Sequence, residues 1–171
     1  MLLTCIAILA VDFKVFPRQL AKTETYGVSV MDIGVGNFIV ASALASKYVR
    51  SKSGTNKWQY VVVLLLGFGR LIVLKALDYP EHASEYGYHW NFFVTLVSVW
   101  LVADIAHYLQ PSYISIFAVL LLLLYELLLL NTTLAEYLLS DTRESFVDCN
   151  KEGIFSLLGF IPLYLITELG S

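Results

Sequence analysis

The chain has 171 residues, 58% of them hydrophobic and 15% charged, with a net charge of −3 and a mean hydropathy of +0.71. Soluble domains are roughly 45–50% apolar and about 25% charged, so this composition points to a membrane protein. The net charge of −3 argues against a nucleic-acid binder, and Cys5 in an apolar run with Cys149 in a polar one gives no basis for a disulfide framework.

The opening run "MLLTCIAILA" is apolar up to Ala10 and Val11 and meets Asp12, about half of the ~20 residues a helix needs to cross a bilayer. It lacks the basic n-region and the cleavage site of a signal peptide, and "IPLYLITELGS" stops where another apolar stretch finishes. The expectation is an internal piece of a longer polytopic protein, beginning partway through a span. Apolar runs then follow at about 28–46, 59–76, 91–109, 112–130 and 153–168. The fold expected is all-α: a polytopic helical membrane protein of about five full spans plus the N-terminal half-span, with residues 1–171 as one transmembrane assembly and no separate soluble domain. Helices are required because backbone groups in hydrocarbon must be satisfied internally, and the alternation of barrel strands is absent. Pro17, Pro80 and Pro111 fall in connectors, whereas Pro162 lies inside the last span, where a kink is expected.

Orientation follows from the loops. The connector "KYVRSKSGTNK" carries Lys47, Arg50, Lys52 and Lys57 without an acid, so the 47–58 loop is assigned to the cytoplasm. Alternation places 12–27, 77–90 and 131–152 on the other, lumenal side; the second of these holds acids but no Lys or Arg. Asn131 begins an "NTT" glycosylation sequon on that side, pressed against a span end.

Three polar groups gather at the lumenal boundary. Residues 11–38 carry Asp12, Lys14, Arg18, Lys22, Glu24 and Asp32; 77–93 carry His82, Glu85, His89 and Asn91; 148–153 read "DCNKEG". Loops held by a rigid scaffold commonly bind and catalyse, although interfacial belts of aromatic and polar residues look the same in sequence. Within the spans, Lys75 and His107 sit near helix ends where they can snorkel. Arg70 and Glu126 are deeper, where an ion costs at least about 2.5–3.5 kcal/mol, and a structural pair between them is expected ahead of ligand contact. His82, Glu85 and His89 share a helical spacing, but one loop supplies too few ligands and no metal site is assigned. No G-x-S-x-G or P-loop is present.

The stretches "VDFKVFPRQLAKTETYGVSVMDIGVGNF", "LGFGRLIVLKALDYPEHASEYGYHWNFF" and "NKEGIFSLLGF" together resemble the inositol acyltransferases of glycosylphosphatidylinositol (GPI) anchor synthesis, the family of the fungal GPI-anchored wall transfer protein. The joint pattern D-F-x-x-F-P-R-x-x-A-K-T-E-T-x-G then M-D-x-G-V-G is specific, and the similarity runs from about residue 11 to 160; Gln19 stands where the family commonly has a basic residue. The resemblance implies a longer, multispan enzyme of the endoplasmic-reticulum membrane. It moves a fatty acyl group, typically palmitoyl, from acyl-CoA to an inositol hydroxyl of glucosaminyl-phosphatidylinositol, with no further cofactor. Matched by motif, Asp12 and Lys22 are the catalytic candidates. A carboxylate there can take the hydroxyl proton or hold the inositol ring, and a cation can stabilise the oxyanion or a phosphate. Arg18 suits bidentate phosphate capture; Glu24, Asp32, Arg70, His82, Glu85, His89 and Asn91 complete the candidate substrate-binding set, with His89 a reserve base. The expected partners are acyl-CoA, the glycolipid and the bilayer. A lipid transporter or a non-catalytic assembly subunit is the competing class.

Overall fold

The computed structural model describes Leu2, Cys5, Ile6, Leu9, Ala10 and residues 33–46, 57–77 and 86–170. Among these residues the regular structure is entirely helical: α1 Ile33–Leu44, α2 Lys57–Ala76, α3 Phe92–Ala106, α4 Pro111–Asn131, α5 Leu134–Leu139, α6 Phe146–Cys149 and α7 Lys151–Gly170. α2, α4 and α7 are long and apolar enough to cross a membrane; α1 and α3 are apolar helices of 12 and 15 residues.

Local chemistry sets the helix ends. Asn91, extended at φ −155°, opens α3 by accepting the Val94 N–H at 3.1 Å, an N-cap that satisfies one of the first-turn donors. Pro111 stands at the first helical position of α4, where a missing N–H costs nothing. Ser145 and Asp148 form a reciprocal capping box on α6. This corrects the reading of 131–152 as plain loop, since the connector builds the two short helices α5 and α6. Pro162 is buried inside α7, and the helix runs on past it to Gly170.

α7 is the hub. It packs on α1, α3 and α4, while α2 packs on α3. The core joins Ile39 and Ala43 of α1, Leu96, Val99, Ala103 and Ala106 of α3, Ile114 and Ala118 of α4, and Ile161, Tyr164 and Leu165 of α7. Four alanines in that set let backbones approach closely, the means by which helices gain van der Waals contact where lipid is as apolar as leucine. Gly67 serves α2 in the same way: a Cβ there would sit 3.1 Å from Asn91 Oδ1 and 3.1 Å from Phe93 Cβ. Its bare carbonyl accepts from Asn91 Nδ2 at 3.0 Å.

This packing overturns the expected pair between Arg70 and Glu126. The first rides on α2, which packs mainly on α3, and the second on α4, which packs mainly on α7; both side chains are exposed and no ion pair joins them.

Candidate active site

Of the residues singled out in the sequence, Asp12, Arg18, Lys22, Glu24, Asp32, His82 and Glu85 lie outside the described residues. Arg70, His89 and Asn91 lie within them. Asn91 is 1% exposed, with its amide oxygen capping α3 and its amide nitrogen on Gly67 of α2. His89 is exposed two residues earlier, at the mouth of α3. Arg70 lies farther along α2, three residues past Gly67.

The 86–91 segment is held against the start of α7 by a dense set of contacts. Gly87 has φ +98°, and a Cβ there would come within 2.3 Å of the Cys149 carbonyl, so only glycine fits this turn. The Tyr88 N–H donates to Cys149 O at 2.9 Å and the His89 N–H to Asn150 Oδ1 at 2.8 Å. Asn150 is fully buried and donates from Nδ2 to Phe146 O at 2.8 Å. Trp90 lies so close to α7 that a Cβ on Gly153 would fall 2.3 Å from its ring. Its indole N–H donates to Thr95 Oγ1 at 2.9 Å.

The "DCNKEG" group resolves into structural roles. Lys151 is fully buried at the first position of α7, where the helix dipole disfavours a cation. Its ammonium donates to Tyr137 O at 2.6 Å, Ser140 O at 2.7 Å and Ser140 Oγ at 2.8 Å, and lies 4.7 Å from the Tyr137 ring centroid. All three of its donors are thereby used. Arg143 makes a bidentate pair with Glu152 at 2.8 and 2.6 Å, which holds its guanidinium above its ordinary pKa. A third bond runs to Asp148 O at 2.8 Å, and the guanidinium carbon lies 6.0 Å from the Tyr88 ring centroid. Hydrogen bonds from Ser145 and Tyr137 draw the Asp148 carboxyl below its usual range.

A second polar cluster closes the opposite end of the bundle, and the sequence reading missed its central member. Glu168 of α7 is 2% exposed at its side chain and accepts from Ser46 Oγ at the end of α1 and from His107 Nε2 at 2.8 Å. His107 therefore does not snorkel: its ring is 14% exposed and is held by the buried carboxylate. Alongside, Tyr60 of α2 donates to Asp104 at 2.6 Å and Trp100 donates to Ser42 at 2.8 Å. Four helices are tied together there. Only an acid four residues after Tyr164 in the last apolar run signalled Glu168; its partners stand 61 and 122 residues away, beyond any local periodicity.

A family model described as GWT1 matches residues 1–170. GPI-anchored wall transfer protein 1 of Kluyveromyces lactis is 44% identical over 176 residues, covering 96% of this chain and 39% of that protein. Glucosaminyl-phosphatidylinositol-acyltransferase PIGW of Mus musculus is 42% identical over 177 residues, covering 95% and 35%. Phosphatidylinositol-glycan biosynthesis class W protein of Dictyostelium discoideum is 37% identical over 216 residues, covering 98% and 44%. The chain thus spans about two fifths of the length of the curated relatives it matches.

Proposed function

The chain belongs to the GWT1 family, and from that premise we propose that it forms one transmembrane part of a multispan acyltransferase of the endoplasmic-reticulum membrane. The enzyme transfers a fatty acyl group, palmitoyl in the first instance, from acyl-CoA to an inositol hydroxyl of glucosaminyl-phosphatidylinositol. The observation that carries this reading is the 42% identity, over nearly the whole chain, to a relative named for that acceptor and that reaction type. The apolar helical bundle supports it further, because a glycolipid acceptor and a fatty acyl group both reside in the bilayer. In this reading the chain contributes five spans and a half-span as one assembly, the 47–58 loop is cytoplasmic, and the polar loops at 12–27, 77–90 and 131–152 face the lumen.

The chemistry needs an alcohol relieved of its proton, a stabilised oxyanion and two aligned reactants. Asp12 takes the inositol hydroxyl proton as the oxygen attacks the thioester carbonyl. Lys22 stands beside the tetrahedral oxyanion, and Arg18 holds the lipid phosphate through its planar fork. Collapse breaks the C–S bond, and the thiolate leaves as CoA thiol with the proton.

The test uses the full-length enzyme in microsomes. Asp12→Asn and Lys22→Met are each expected to insert normally and to lower acyl transfer by about a hundredfold or more. The double variant should be little worse, because groups acting as a unit are not additive. Near-normal transfer by well-inserted single variants overturns the assignment. Loss of acyl-CoA consumption in the Lys22 variant separates an enzyme from a transporter or an assembly subunit.

A further inference from the structure

Phe146 is 65% exposed and Tyr88 45% exposed, and the His89 ring beside them is exposed as well. The scaffold under these rings is anything but loose. The fully buried Asn150 side chain bonds the His89 N–H through its oxygen and the Phe146 carbonyl through its nitrogen, so one amide sets the spacing of both ring-bearing residues. The rings come out near-parallel, 26° apart in plane and 6.2 Å between centroids. Gly87, in the left-handed region, locks Tyr88 alongside through the Cys149 carbonyl. A simple interfacial belt needs rings at the right depth, not rings held in register by a buried amide and a glycine-specific turn.

The charges around this surface are uneven. The Lys151 ammonium is enclosed by carbonyl and hydroxyl oxygens, and the Arg143 charge is met by Glu152. Asp141 and Glu144 remain exposed, the latter two residues before Phe146. An exposed, stacked ring pair with an exposed carboxylate two residues away in the chain suits a sugar ring that carries an amine: the C–H face of the sugar lies on an outer ring face and the ammonium meets the carboxylate.

We propose that the stacked His89–Phe146 pair, with its chain neighbours Tyr88 and Glu144, is the subsite for the amino sugar of the glycolipid acceptor, and that it distinguishes a free amine from an N-acylated one. This rests on the acceptor assigned under Proposed function. The pair then works by holding the headgroup while the inositol next to it is acylated, so its residues act on acceptor binding and not on the donor.

The test measures steady-state acyl transfer by the full-length enzyme with glucosaminyl-phosphatidylinositol and with its N-acetylated counterpart in mixed micelles. Phe146→Ala is expected to raise the acceptor KM about three- to tenfold, with the acyl-CoA KM and kcat little changed, and Phe146→Trp to restore it. Glu144→Gln is expected to narrow the preference for the free amine by about two- to fivefold. Both positions are exposed, and Phe146→Leu keeps an apolar side chain as a check on folding. An unchanged acceptor KM in both Phe146→Ala and Phe146→Leu overturns the subsite, as does an equal rise for donor and acceptor, the mark of a lipid-interface role. A wild-type enzyme that does not acylate glucosaminyl-phosphatidylinositol instead overturns the functional reading on which the subsite rests.

Discussion

Lys151 shows how a side chain that reads as a ligand in sequence becomes a fastener in three dimensions. Its ammonium bridges two carbonyls and a hydroxyl of the α5 connector, tying that connector to the start of α7. Lys151→Met should therefore lower the stability of the folded protein by about 1.5–3 kcal/mol, since it removes the hydrogen bonds of a charged, fully buried donor. Thermal unfolding in detergent measures this; an unchanged midpoint would mean that the connector is satisfied in another way. Asp148 gives a pH signature at the same boundary. Hydrogen bonds from Ser145, then from Tyr137, depress its folded pKa below the ordinary value of 3.8. Its contribution to stability is thus present above that ordinary value and is lost as pH falls through the folded value. In a series of unfolding midpoints between pH 5 and 2, Asp148→Asn should flatten the acid limb. A limb identical to wild type would show that other carboxylates cause it.

Among the elements, α7 carries the argument because both polar clusters hang on it: Lys151 and Glu152 at its start, Glu168 near its end. The Glu168 cluster draws α1 and α3 onto α7 through Ser46 and His107. Each substitution removes a hydrogen bond made at low exposure, so Glu168→Gln and His107→Gln should each cost about 1–3 kcal/mol. A double-mutant cycle should show a coupling of about 1–3 kcal/mol between them. Additive losses would mean that the two side chains stabilise the bundle independently. The glycines work at the same level. Trp90 occupies the space where a Gly153 side chain would go, so the approach of the 86–91 segment to α7 depends on a missing Cβ.

For the bundle as a whole, the charge asymmetry of the connectors predicts the orientation. The 47–58 loop carries four basic residues and no acid. In the full-length protein, a cysteine placed at Ser53 should react with a membrane-impermeant maleimide from the cytosol only, and one at Ser84 from the lumen only. Reaction of both from one side would overturn the assignment. An exchange of the two sides would reverse it and place the Lys151 clasp and the Glu168 cluster on the opposite faces of the membrane.

The positions of the membrane helices were legible in the amino-acid order alone. Hydrocarbon tolerates only apolar side chains and internally bonded backbone, so the runs at 59–76, 112–130 and 153–168 already mark α2, α4 and α7 to within a few residues. The specific motif around Asp12 and Lys22 was likewise enough to mark the family. What the chain order could not decide was which polar residues meet. Arg70 and Glu126 have matching charge and depth, yet their helices pack on different neighbours. Glu168 and His107, 61 residues apart, are brought together by the packing of α3 on α7. Low dielectric makes every intramembrane ion need a partner, but the choice of partner belongs to helix packing, which is set by small residues and side-chain shape distributed over the whole bundle.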